Sequence, residues 1–354
     1  MKLSQFKYSI PKNLIAKNPK SPRDTCKLMI VNKETGELET KKFKDIIDYM
    51  NEGDVLVLND SKVFNARLYG TKEKTRAKIE VFLLRQLSQD ENIWDVVVDP
   101  ARKVRIGNRI FFTKNLYCEV IDNTTSRGRI VRFNYPGDFS KYIEKLGRTP
   151  LPPYIKREST EKDKDDYQTV YAKNTGSVAA PTAGLHFTKD LLKKIEAKGV
   201  KIAYITLHIG LGTFRLVEVE DLSKHRMDSE YYELTKESAD IINAAIQKKG
   251  KKVIAVGTSV ARVLESNVIT SKHVRYGKGW TDKFIHPPQT VRVIDKFVTN
   301  FHLPQSTLLM LTCSVADRDI IMKAYKKAIK EKYRFYSYRS EERRVGKECR
   351  SRWS

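Results

Sequence analysis

Apolar positions change their rhythm twice along this chain. Residues 1–66 mix strand-like and helical stretches. Within them Asp54-Val55-Leu56-Val57-Leu58 reads as a short buried strand that runs into the polar turn Asn59-Asp60-Ser61-Lys62. From 67 to 152 the pattern differs. Short β-branched and aromatic runs at 79–84, 93–98, 109–113, 117–121 and 129–133 are separated by turn-forming stretches such as Asp122-Asn123 and Arg127-Gly128. That spacing predicts a small all-β unit, a sandwich or a barrel. It ends at Thr149-Pro150-Leu151-Pro152-Pro153, a stiff segment suited to a crossing between domains.

Helical periodicity returns after 153. Thr188 is placed to cap a helix that carries Leu191, Leu192 and Ile195 and closes at Gly199. A strand over 201–207 follows. Thr235 is placed to cap a second helix with Ile241, Ile242, Ala245 and Ile246 on one face and Gly250 after it. Next come a strand over 253–256, a turn at Gly257-Thr258-Ser259, a helix over 260–265 and a strand over 291–298. The last helix starts near Asp317 and carries Ile320, Ile321, Ala324, Tyr325, Ala328 and Ile329 as an apolar stripe. The succession predicts a mixed α/β core over 1–66 and 153–338, interrupted by an inserted β domain over 67–152. Residues 339–354 have no periodicity and almost no core-forming side chains. They resemble the translation of a sequencing adapter and are read as a non-native tail.

Composition narrows the class. The chain has 354 residues, enough for two domains, and 40% of them are hydrophobic, which excludes wholesale disorder. Its formal charge of +24 predicts attraction to polyanions, nucleic acid foremost, although a generally basic proteome is the bland alternative. No apolar run approaches the roughly 18 residues of a membrane span, and residues 1–15 do not read as a signal peptide. Cys26, Cys118, Cys313 and Cys349 stand apart, with no metal-finger spacing, which predicts a reduced, cytoplasmic protein without structural zinc.

Candidate chemistry gathers where strands end. The first segment is Asn59-Asp60-Ser61-Lys62-Val63, with Arg67 beyond it; an ordinary Asx turn is the competing reading. The second, Ala179-Ala180-Pro181-Thr182-Ala183-Gly184-Leu185-His186-Phe187, lets backbone approach a ligand closely, while His186 is equally readable as a satisfied structural group. The third, Thr206-Leu207-His208-Ile209-Gly210-Leu211-Gly212-Thr213-Phe214, lacks the third glycine of a dinucleotide fingerprint and the Lys-Ser/Thr of a P-loop. The fourth, Thr299-Asn300-Phe301-His302-Leu303-Pro304-Gln305-Ser306, offers His302, with Ser306 readable as a helix cap. Gly257-Thr258-Ser259 at a strand-to-helix turn suits a carboxylate or phosphate, and Glu230 is a weaker acid/base candidate. No metal-binding motif stands out, so no metal is expected. The residues alone lead to a basic α/β enzyme with a histidine-containing, glycine-lined site.

These segments, in this order, resemble the S-adenosylmethionine:tRNA ribosyltransferase-isomerase family of queuosine biosynthesis. The matching stretches include 54–67, Pro150-Leu151-Pro152-Pro153-Tyr154-Ile155, Tyr167-Gln168-Thr169-Val170-Tyr171, 178–187, 206–214, 253–266 and 298–311, and the similarity spans 1–338. The resemblance implies an α/β core interrupted by a β-barrel. It implies transfer and isomerisation of the ribosyl unit of S-adenosylmethionine onto 7-aminomethyl-7-deazaguanine at the wobble position of the tRNAs for Tyr, His, Asp and Asn. Epoxyqueuosine-tRNA forms, and adenine and methionine leave. S-adenosylmethionine is then a co-substrate, no further cofactor is expected, and a monomer away from membranes is expected. On the matching motifs Asp60, His186, His208 and His302 become candidates for proton transfer. Lys62, Arg67 and Arg262 become candidates for holding the methionine carboxylate or a tRNA phosphate. Asn59, Ser61, Thr182, Gly184, Gly210, Gly212, Thr213, Thr258, Ser259 and Asn300 become candidates for substrate binding. The chain departs from the family at its end, where a Gly-Asp-Ala-containing stretch usually follows Phe335-Tyr336-Ser337-Tyr338. It departs again at Thr258-Ser259-Val260-Ala261-Arg262, where the family has two threonines before Ser-Val-Arg. The rivals are an S-adenosylmethionine-dependent RNA methyltransferase and a non-catalytic RNA-binding protein.

Overall fold

The computed structural model describes residues 1–335 except 17, 125–127, 153, 154, 156 and 215. Arg127, Pro153 and Tyr154, and everything from Tyr336 through the tail at 339–354, therefore lie outside the described residues, as does Cys349.

Val55–Asn59 is buried along its whole length, because both faces of the sheet it centres are covered. The six strands run in the order Gly277–Thr281, Glu230–Leu234, Lys201–Leu207, Val55–Asn59, Val253–Val256, Lys296–Val298. The last four are parallel, and the first two add on antiparallel. Alternate side chains serve alternate layers. Val55, Val57, Ala203, Ile205, Val253 and Ala255 pack with the helices Lys236–Gln247 and Thr258–Asn267. Leu56, Leu58, Ile254 and Val256 pack with Phe43, Ile46, Phe187, Leu191 and Ile195 on the other face. Thr188 and Thr235 cap their helices as expected, and Asp317, where the last helix was expected to start, also serves as a cap. Thr188 accepts from Leu191 N, Thr235 from Ser238 N and Asp317 from Asp319 N. Ser306 caps Thr307–Val315 by accepting from Leu309 N, so its side chain has a structural job.

The inserted unit is a closed barrel of six strands, Arg67–Lys72, Lys78–Ser88, Ile93–Asp99, Arg109–Phe111, Tyr117–Asn123 and Arg129–Asn134. Of the two shapes the run lengths allowed, closure into a barrel is the one taken. The segment is not all-β. Asp138 caps a helix, Phe139–Leu146, whose Phe139 packs on Trp94 and Phe133 to cover the barrel's end. The expected strand over 291–298 is also shorter, Lys296–Val298 only. Glu265 Oε1 accepts from Arg292 N at 2.8 Å and Val293 N at 3.1 Å, holding the preceding backbone as a bend instead of a ladder.

Cys26, Cys118 and Cys313 are buried free thiols, and burial pushes Cys118 upward and Cys313 up to about 12. No helix among the described residues is long and apolar enough to cross a membrane. None of the described residues group into a metal-binding cluster.

Candidate active site

Four parallel strands end on the same edge of the sheet, and each delivers one of the polar turns. Asp60 follows Val55–Asn59, His208 follows Lys201–Leu207, Gly257 follows Val253–Val256, and Thr299 follows Lys296–Val298. Ligands of open α/β sheets bind at this edge, because the turns there diverge to leave a crevice. Two cavities open on it. A small one, about 60 Å³, is walled by the segment 179–183, Ile209, Thr213, Gly257, Thr258, Ser259, the 299–303 loop, Ser306 and Leu308. A cleft of about 1180 Å³ lies between barrel and core. Ile209 belongs to both walls, so the two adjoin.

The predicted residues divide between these spaces. Thr182, Thr213, Thr258, Ser259, Asn300 and His302 face the small pocket. Lys62, His208, Gly210 and Gly212 face the cleft. Asn59, Asp60, Ser61, Arg67, Gly184, His186 and Arg262 line neither.

His208 is half-buried. Its Nδ1 lies 2.8 Å from Ser61 Oγ, and Ser61 Oγ lies 2.6 Å from Ser177 Oγ, which accepts from Ile209 N. The ring stacks on Tyr231 at 5.9 Å. Burial holds the imidazole below the ordinary histidine range, against the opposing pull of Asp60 and Glu233. A neutral imidazole with one nitrogen engaged by a hydroxyl relay can act as a proton acceptor or donor at the other. Gly176 makes the fit possible, since a Cβ there would sit 2.6 Å from His208 Nε2.

Asp60 sits behind this histidine. It is 7% exposed, and its carboxylate accepts from Thr206 Oγ1 at 2.7 Å and from Asn174 Nδ2 at 3.1 and 3.2 Å. It acts on His208 through its charge. Asn59 ties two strand ends, its Nδ2 donating to Leu207 O and its Oδ1 accepting from Leu207 N and Ser61 N.

At the small pocket His302 Nε2 lies 2.8 Å from Thr299 Oγ1, its N–H donates to Tyr325 Oη, and its carbonyl accepts from Tyr8 Oη. Asn300 Oδ1 accepts from Thr182 Oγ1 at 3.4 Å. His186 lies behind Asn300, 3.4 Å from its Nδ2, with Cys26 Sγ 3.4 Å from the other ring nitrogen and Phe43 alongside. His186 is buried among these partners and lines neither cavity, unlike His208 and His302. The helix Thr258–Asn267 presents its first turn to the pocket, with Gly257 at φ +89° before it. Such a turn offers backbone N–H groups to an anion.

Three further expectations change. Arg262 is not available to a ligand. It is 5% exposed, its Nη1 pairs with Glu230, and Nε and Nη2 donate to Lys283 O and Thr281 O. Glu230 is the matching anchor, and it also accepts from Gly210 N at 2.8 Å, which fixes the glycine loop. Arg67 is engaged by Glu80 and lies over the Phe82 ring, on the barrel. Gly184 serves packing, since a Cβ there would collide with the Tyr171 hydroxyl. Lys62, exposed on the cleft wall, is the predicted cation that remains available.

Sequence reasoning did not find Gly176, Ser177, Tyr231, Trp94 or Trp280, all of which stand at or behind the cleft. The polar run Asn174–Ser177 has no apolar alternation to mark it as the strand that pairs with Ser61–Val63. The cleft lining carries three cationic side chains, Lys62, Arg85 and Lys164, and six carboxylates.

The profile of the family described as queuosine biosynthesis protein matches residues 3–339. A protein of Chloroherpeton thalassium named S-adenosylmethionine:tRNA ribosyltransferase-isomerase is 55% identical over 96% of this chain and 98% of its own length. One of the same name from Cytophaga hutchinsonii is 55% identical with the same coverage. A crystal structure of an S-adenosylmethionine tRNA ribosyltransferase from Thermotoga maritima superposes with a TM-score of 0.52 at 33% identity, covering 95% of this chain and 98% of that one.

Proposed function

This chain belongs to the queuosine biosynthesis protein family, and from that premise we propose that it transfers and isomerises the ribosyl unit of S-adenosylmethionine onto a tRNA base. One observation carries the reading at the site. All four polar turns leave the same edge of the sheet and wall two adjoining cavities, one small and one large enough for a nucleotide-sized substrate and its partner. The acceptor is 7-aminomethyl-7-deazaguanine at the wobble position of the tRNAs for Tyr, His, Asp and Asn. S-adenosylmethionine is a co-substrate without a further cofactor, and the enzyme works as a cytoplasmic monomer.

The chemistry assigns tasks. A sulfonium acidifies the neighbouring C5′ protons, so a base that removes one generates a stabilised carbon nucleophile. Adenine must leave C1′ with a proton supplied to it, methionine must leave C5′, the opened sugar must reclose as a carbocycle through a new carbon–carbon bond, and the aminomethyl nitrogen must be joined to it with loss of its proton. His208 is the base, its ring neutral and steadied by Ser61 and Ser177. His302 and Thr299 serve the departing groups from the small pocket. The first turn of Thr258–Asn267 receives the methionine carboxylate. Barrel and core wall the cleft from two sides, and the seated tRNA closes the remainder against water.

The test is direct. Purified protein is incubated with S-adenosylmethionine and precursor tRNA, and adenine, methionine and tRNA mass are followed. Adenine released in step with a ribosyl-sized mass gain is expected. S-adenosylhomocysteine with a methyl-sized gain would mean a methyltransferase, and RNA binding with neither product would mean a binding protein.

A further inference from the structure

An exposed strip at the mouth of the cleft is not used by any of these steps. Tyr276, Lys278 and Trp280 alternate along the edge strand Gly277–Thr281 and the residue before it, and alternation places them on one face. Tyr276 is 62% exposed and Trp280 56%. Glycines at 277 and 279 separate them, so the strand bears this one row of side chains and nothing bulky opposite.

Trp280 is also part of the cleft wall. It faces Tyr231 across the antiparallel pair, ring centroids 5.7 Å apart and nearly perpendicular, and Tyr231 in turn stacks on His208. Arg85 reaches from the barrel strand Lys78–Ser88 to place its guanidinium 5.7 Å from the indole centroid. Even with both neighbours in place the indole keeps more than half its surface open. A stair of three rings therefore runs from the proposed base to the surface.

We propose that this strip stacks the unpaired nucleotides beside the reacting base, with Trp280 taking the base next to it. The inference rests on the tRNA reading above and names where that RNA is held. Charge favours bases here and not phosphates. With Glu230 set against its buried partner Arg262, five carboxylates against three cations line the cleft, an excess that repels a phosphate from the interior, while the chain as a whole carries +24 and Lys278 stands on the strip. The flat faces enter and the phosphodiester stays outside. Aromatic faces bind any base, which suits contacts made to neighbours of the target and not to the target itself.

The experiment measures binding of a fluorescently labelled anticodon stem-loop RNA to wild type, Trp280→Ala and Trp280→Phe, together with the KM for S-adenosylmethionine. Trp280→Ala should weaken RNA binding by about 10-fold, within the range of one base–aromatic stack. The KM for S-adenosylmethionine should change far less than RNA affinity, and Trp280→Phe should recover most of that affinity. Wild-type RNA affinity in Trp280→Ala, or Phe as poor as Ala, overturns the proposal. The two readings fail separately. RNA affinity that falls in Trp280→Ala while the wild type releases no adenine sinks ribosyl transfer and leaves this surface standing. Full adenine release with RNA affinity indifferent to Trp280 sinks the surface alone.

Discussion

His208 and Asp60 meet at one edge of the sheet, the carboxylate behind the imidazole. Burial lowers the His208 pKa while the Asp60 charge raises it, and burial wins. With His208 as the proposed base the working form is neutral, so kcat/KM should fall as pH drops, with its midpoint below the ordinary histidine value of about 6.5. Asp60→Asn removes the opposing pull, and the acid limb should then move to still lower pH. A limb that stays put or moves upward would show that some other group is titrating. The stability sign is the same. The folded state disfavours protonated His208, so this contribution is present above about 6.5 and drains away between that value and the lower folded one. His208→Ala should reduce kcat by on the order of 10²-fold or more. Gly176→Ala offers a subtler probe. Its new Cβ would displace the ring from Ser61, so kcat should fall well before the melting temperature does. Equal loss of both would mark Gly176 as a folding residue only. Histidines after strands were legible in the sequence, but which of them faces a cavity was not. His186 and His302 both sit in motifs at strand ends, and Cys26 and Phe43, brought from 160 and 143 residues away in the chain, help enclose the first.

Among whole elements, the local signals survived folding and the long-range ones had no voice beforehand. Thr188, Thr235 and Ser306 cap helices as read, because a cap is settled within three or four residues. The helix Phe139–Leu146 carries the same kind of signal in Asp138, yet the surrounding β rhythm hid it. Arg262 is the sharper case. A cation in a polar strand-end motif reads as a ligand group, but Glu230 of the neighbouring element closes on it and two carbonyls take the rest of its donors. It therefore fastens the helix Thr258–Asn267 to the strand Glu230–Leu234. Arg262→Ala leaves Glu230 buried and uncompensated, and should cost roughly 3–5 kcal/mol of stability, read as a lowered urea midpoint. Arg262→Ala with wild-type stability and a selectively raised KM for S-adenosylmethionine would restore the ligand role.

Across the whole molecule, the insertion of a β unit into an α/β core was visible as two changes of hydrophobic period, and the edge of the sheet that carries the site follows from which strands run parallel. The distribution of charge was not visible. A chain at +24 suggests a basic groove, whereas the cleft itself is lined by an excess of carboxylates. Steering and insertion are thus separate jobs. The outer surface draws in the polyanion, and the cleft accepts uncharged or cationic groups such as a base, a sulfonium or an aminomethyl nitrogen. This separation predicts different salt responses. Each phosphate neutralised on the outside contributes about 0.7–0.9 to the negative slope of log affinity against log salt, so tRNA binding should show a slope of about −3 or steeper. The KM for S-adenosylmethionine, bound inside and without counterion release, should stay nearly flat over the same range. Trp280→Ala should lower tRNA affinity equally at every salt concentration, leaving the slope unchanged, because a stacked base displaces no ions. If that substitution instead flattened the slope, Trp280 would be organising a phosphate contact through Arg85, and the division between a charged exterior and an uncharged way in would have to be abandoned.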